Sequence, residues 1–142
     1  MTQKSKKSLN VPNLRFPGFE GEWEIVQLGK IGVIVSGLTY SPKDIHNDGV
    51  LVLRSSNVKE GRLIFDDNVY VKTKDFNPVI ENDILICVRN GSKRLIGKNT
   101  IISKENKGFA FGAFMSVYRS KNNRFIYQWF KTEKYKKEVY KN

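Results

Sequence analysis

The residues best suited to chemistry in this sequence stand in one polar run, Arg89-Asn90-Gly91-Ser92-Lys93-Arg94, with Lys98 following shortly after. A guanidinium offers a fork of donors that can grip guanine O6 and N7 together, whereas a lysine ammonium acts as a point charge toward phosphate. Gly91 carries no side chain, so the backbone there can approach a phosphate closely. The charge distribution supplies the field that such contacts need. Residues 1–88 carry 11 Lys/Arg against 11 Asp/Glu and residues 89–142 carry 14 against 3, so the whole formal charge of +11 arises in the last third. Double-stranded DNA is the partner that this field would attract, with Arg89, Asn90, Ser92, Lys93, Arg94 and Lys98 as its contacts.

Two further segments have suitable side chains. In Arg54-Ser55-Ser56-Asn57 the asparagine amide could read adenine N6 and N7, and the hydroxyls could serve bases or phosphates. The same residues are also ordinary turn formers after a strand. In the polar run 36–41, Thr39 and Tyr40 with Lys43 close behind form a third candidate, although Tyr40 is equally suited to a core. Phe109, Phe111 and Phe114 alternate as a core face does, which argues against a stacking platform.

Catalytic chemistry finds little support. Asp83 with Glu105-Asn106-Lys107 has the spacing of a metal-dependent nuclease, but 103–108 reads as a polar turn, unlike the rigid strands on which carboxylates converge. A single histidine, His46, and a single cysteine, Cys87, provide no His/Cys metal set and no nucleophile–base pair. The expectation is no catalytic residue, no metal and no cofactor.

These segments must be positioned by elements legible in the pattern. With 142 residues and 39% hydrophobic content the chain suits one core. β-Branched and aromatic runs predict strands at 23–28, 32–35, 50–53, 62–65, 69–72, 83–88, 99–103 and 114–119, with Gly/Pro/Asn/Asp turns between them in an antiparallel meander or barrel-like sheet. Leu14, Phe16 and Phe19, spaced by prolines, predict an extended strap offering apolar side chains to the core edge. Residues 124–140 predict one amphipathic helix capped by Asn122 or Asn123. Residues 1–10 read as a basic flexible tail, and 11–142 as a single α+β domain: a twisted, mostly antiparallel sheet or partial barrel with a C-terminal amphipathic helix. No apolar run is long enough to span a bilayer, the basic start leads into no apolar stretch, and Cys87 reads as a buried small hydrophobe; a cytoplasmic location is expected.

Two stretches carry a resemblance to a known family. Residues 12–24, Pro-Asn-Leu-Arg-Phe-Pro-Gly-Phe-Glu-Gly-Glu-Trp-Glu, followed by Leu28-Gly29-Lys30-Ile31, and Glu81-Asn82-Asp83-Ile84-Leu85-Ile86 leading into Arg89-Asn90-Gly91-Ser92, resemble type I restriction-modification specificity subunits. Leu53-Arg54-Ser55-Ser56-Asn57-Val58 is similar to the strand end and loop preceding the second motif. The resemblance implies an N-terminal target recognition domain that directs methylation and cleavage by a methyltransferase (modification) subunit and a restriction subunit. It also implies that the run around Thr39, Tyr40 and Lys43 faces DNA. The family's long spacer helix and second recognition domain have no counterpart here, so the chain reads as truncated, and a homodimer could stand in for the missing half. Two rivals remain: a protein-interaction fragment that modulates the complex without reading DNA, and a nuclease using Asp83 and Glu105.

Overall fold

The computed structural model describes residues 11–141. The basic tail expected at 1–10 lies outside them. In chain order the elements are α1 (Leu28–Ile31), β1 (Val33–Ser36), β2 (Ile45–Leu53), β3 (Val58–Lys59), β4 (Arg62–Leu63), β5 (Val69–Val71), β6 (Ile84–Cys87), β7 (Asn99–Ile101), β8 (Ala110–Phe111), β9 (Met115–Arg119), α2 (Asn123–Phe130) and α3 (Glu133–Tyr140).

The unbroken apolar run Ile84–Cys87 signals a strand covered on both faces. In β6, Leu85 and Cys87 enter a cluster with Leu53, Phe111, Met115 and Val117, while Ile84 turns to the opposite side with Tyr118, Ile126, Tyr127, Phe130 and Tyr135. Each fully buried large apolar side chain of this kind contributes roughly 1.5–3 kcal/mol. The sheet so covered has the order β1-β9-β6-β7, all neighbours antiparallel. A second sheet, β5-β2-β8, packs against its first face, and the short hairpin β3-β4 flanks them. Strand β2 alternates likewise: Leu51 and Leu53 point to the shared core, and Val52 joins Val71 and Ala110 beyond.

The α+β class and the mostly antiparallel sheets agree with the sequence reading, but the sheet does not close into a barrel and is not a meander. Neighbours in the large sheet come from distant parts of the chain, and β2 pairs with β8 in parallel. Residues 23–27 form no strand, and Leu28 instead opens α1. The strap also departs from expectation: Leu14, Phe16 and Phe19 are 90%, 82% and 71% exposed. The prolines keep that segment from folding back as regular structure, and no described element covers it.

The single expected C-terminal helix is two. Thr132 has an extended backbone, and its hydroxyl accepts the Tyr135 N–H as the cap of α3. A residue that bonds its own backbone in this way competes with helix continuation. The break returns Tyr135 onto Phe130, the rings stacked with centroids 4.4 Å apart. Asn122 precedes α2 without a side-chain cap bond, whereas buried Asn123 donates to the carbonyls of Asn82 and Tyr118 at 2.8 Å each. No helix among the described residues is long and apolar enough to cross a membrane.

Candidate nucleic-acid interface

The ends of β1, β2 and β6 and the β8–β9 turn bring three of the sequence-selected segments to one place. A cleft of about 540 Å³ is lined by Thr39 and Tyr40, by Arg54, Ser55 and Ser56, by Arg89 and Asn90, and by the turn 112–115. Its walls are stitched together over long sequence separations. Asn90 Nδ2 donates to Ser55 Oγ at 3.3 Å, and Lys98 Nζ donates to the Ser55 carbonyl at 2.7 Å.

The segment after β1 is held by close backbone approach. Leu38 N–H donates to the Phe111 carbonyl at 2.7 Å, and a Cβ on Gly37 would fall 2.1 Å from the Gly112 oxygen. Only glycine fits there. Ser41 then opens a short turn, Pro42–Asp44, where the Asp44 carboxylate accepts from Ser41 N and Oγ at 2.9 and 2.8 Å. Those hydrogen bonds lower the Asp44 pKa below its ordinary value.

The structure divides the sequence-selected residues into groups with different freedom. Arg89, Lys93 and Arg94 are exposed, and none of them is in an ion pair among the described residues. Arg89 lines the cleft, whereas Arg94 and Lys98 turn toward a second cleft of about 650 Å³ that they share with Arg62, Lys131 and Lys136. Ser92 N–H donates to Asn90 Oδ1 at 2.9 Å, which shapes the loop. Thr39 and Ser56 are exposed at the first cleft, and Lys43 is exposed just outside its lining. Tyr40 combines its two readings, packing on the Val52–Val71–Ala110 cluster while lining the cleft.

Asn57 does not join the surface. It is fully buried, its Oδ1 accepting Arg54 N–H at 2.9 Å and its Nδ2 donating to the Ile64 carbonyl at 3.0 Å. Its side chain braces the loop and cannot reach a base. Arg54 is partly committed as well, since its Nη2 donates to both the carboxylate and the carbonyl of Asp67 at 2.9 Å.

Among the phenylalanines, Phe111 is buried and Phe109 packs against the core as expected, but Phe114 is 61% exposed on the wall of the first cleft. The alternation fails because Gly112–Met115 is a turn, closed by Met115 N–H donating to the Gly112 carbonyl at 2.9 Å. Sequence reasoning missed Phe114 as a candidate site residue; the signal was Gly112, two positions before it, which ends the strand. Asp83 is spent elsewhere. It accepts from Arg119 Nε and Nη2 at 2.8 and 2.7 Å and from Ile80 N–H at 2.9 Å, which raises the Arg119 pKa, while Glu105 is exposed on a turn of its own.

The fold and the sequence can be set beside known proteins. Over 129 residues the chain is 26% identical to the specificity subunit of the type I restriction enzyme EcoKI of Escherichia coli K12. Over 106 residues it is 24% identical to the specificity subunit of the type I restriction enzyme StySPI of Salmonella potsdam. This chain is similar to type I specificity subunits. The matches take in 84% and 68% of the chain but 27% and 22% of those two relatives, so the chain spans about a quarter of the length of the curated relatives it matches. No family model matches it. Among solved structures, the HsdS subunit of Thermoanaerobacter tengcongensis superposes with a TM-score of 0.60 over 82% of this chain at 14% identity. A chain from a structure of type I R-M complex assembly and conformational transition gives 0.61 over the same share. At that identity the structural likeness is one of fold.

Proposed function

We propose that this domain reads double-stranded DNA sequence as the target-recognition part of a type I restriction-modification specificity subunit in the cytoplasm. Its modification and restriction partners would perform methylation and cleavage, and the domain itself would catalyse nothing. One observation supports this most: polar segments remote in sequence, among them Ser55 and Asn90 at 35 positions apart, are hydrogen-bonded into one cleft lined by Arg89, and Arg89, Lys93 and Arg94 of the loop that follows lie outside every ion pair among the described residues.

Phosphate contacts would supply most of the affinity, and groups reaching base edges would supply the discrimination. Arg89, beside Asn90 and Ser56 in the first cleft, is the base reader in this scheme. Lys93 and Arg94, with Lys43, hold the backbone, and Lys98 braces the loop through the Ser55 carbonyl. Two copies acting together would read two half-sites, as a homodimer.

Selection from a randomised duplex pool at moderate and raised salt tests the reading. A short enriched site supports it, and affinity should fall with salt by a log–log slope of about 0.9 per phosphate contacted. Arg89→Ala should relax preference at one position, whereas Lys93→Ala should weaken all duplexes alike and lower the slope by about one. Equal losses on every duplex for both variants would contradict the assigned roles. The exposed segment bearing Leu14, Phe16 and Phe19 favours a second reading, an interaction surface for the modification subunit. Co-elution with that subunit, without DNA enrichment, would select this second reading.

A further inference from the structure

Phe114 sits in the four-residue turn Gly112–Met115 and exposes 61% of a large apolar side chain on the wall of the first cleft. The turn is rigid: the Phe114 carbonyl accepts both Val88 and Arg89 N–H at 2.9 and 3.1 Å, and the flanking residues Phe111 and Met115 are buried. The backbone that carries the ring is thus tied to the strand end that carries Arg89. It meets no other ring among the described residues, unlike exposed Phe125, which stacks on Trp23.

The cleft beside Phe114 is lined by apolar Leu38, Ile45 and Met115 together with polar Thr39, Ser56 and Asn90. Arg89 on its lining and Lys43 just outside it lie in no ion pair among the described residues and complement a polyanion, while the apolar lining suits an apolar group on that same partner. A DNA major groove meets both conditions at one chemical group, the C5-methyl of a pyrimidine, which apolar side chains contact directly.

We propose that Phe114 reads a pyrimidine C5-methyl group in the major groove, next to the base edge read by Arg89. This rests on the DNA-reading function proposed above. The methyl group belongs to thymine or to 5-methylcytosine, and both present the same apolar surface to the ring.

The test uses the full chain and the duplex it enriches. Deoxyuridine replaces each thymine in turn, removing only the methyl, and 5-methylcytosine replaces each cytosine, with affinities measured by fluorescence anisotropy for wild type and Phe114→Ala. Burying one methyl corresponds to about fourfold in affinity. The expected result is one position at which loss of the thymine methyl weakens wild type about fourfold and leaves Phe114→Ala unchanged. Tightening by 5-methylcytosine at one cytosine, again lost in Phe114→Ala, would assign the methyl to that base. Phe114→Leu should keep the dependence, because it keeps an apolar contact, and the melting temperatures of both variants should match wild type because the ring is exposed. An enriched site with no methyl dependence at any position overturns this inference alone. Failure to enrich any site overturns the DNA-reading function and this inference with it.

Discussion

Asn57 offers the sharpest separation between a structural residue and a DNA contact, because its residue type suits both. In the structure it is fully buried and its amide accepts Arg54 N–H at 2.9 Å while donating to the Ile64 carbonyl at 3.0 Å and Asn68 Oδ1 at 3.3 Å. Asn57→Ala leaves three partners unmet in a site that has no room for bulk water. At roughly 0.5–1.5 kcal/mol for each bond lost, the change should destabilise the domain by about 2–4 kcal/mol. For a domain of this length each kcal/mol lowers the melting temperature by about 3 °C, so the midpoint should fall by about 6–12 °C. Circular dichroism melts of wild type, Asn57→Ala and the exposed neighbour Ser56→Ala measure this, and Ser56→Ala should melt with wild type. An Asn57→Ala midpoint within about 2 °C of wild type, accompanied by weakened DNA binding, would refute the reasoning and return Asn57 to the surface.

Three other outcomes follow from the packing. Asp83→Ala strands the Arg119 guanidinium and the Ile80 N–H, so urea unfolding should register a loss of about 3 kcal/mol, and a loss below about 1 kcal/mol would show that the pair is not structural. Gly97 has φ +88°, and a Cβ there would meet Val139 Cγ1 at 2.8 Å, so Gly97→Ala should destabilise by more than about 1 kcal/mol; Val139→Ala added to it should relieve the clash but not the backbone strain, seen as partial recovery of the midpoint. Burial pushes the Tyr135 hydroxyl up to about 12 from 10.0, so its neutral form favours the folded state: that stability is complete below pH 10 and is lost as pH rises toward 12. Wild type should therefore lose stability more steeply than Tyr135→Phe between pH 10 and 12, and parallel curves would count against it.

The parts of this fold that were legible are those in which local pattern and tertiary position agree. The run Ile84–Cys87 reads as a doubly covered strand because the core shared with β2 and β8 covers one of its faces and side chains of α2 and α3 cover the other. Cys87 is buried for the same reason. Strand order was not legible, since β1 pairs with β9 across 80 or more positions and nothing local encodes that choice. The two-residue strands β3 and β8 were too short for period-2 alternation to register. Thr132 was read as a helix interior because its neighbours continue the helical pattern, and its capping role emerges only once Tyr135 has Phe130 to pack on.

Residue type alone could not sort the candidate contacts, and the reason is competition for hydrogen bonds. Arg54, Asn57 and Lys98 have the same donors and acceptors as true base or phosphate readers, yet Asp67, Ile64 and the Ser55 carbonyl claim them within the fold. Those internal bonds serve the interface indirectly. Lys98 and Asn90 both fasten on Ser55, so the loop after β2 and the loop after β6 cannot move independently. A cleft held in this way fixes the backbones that carry Arg89 and Phe114, and the proposed reading of a base pair would depend on that fixity more than on additional charge. The basic last third of the sequence therefore divides by role. Some of its cations build the frame, and those left unpaired on that frame are exposed and free for the DNA contact proposed above.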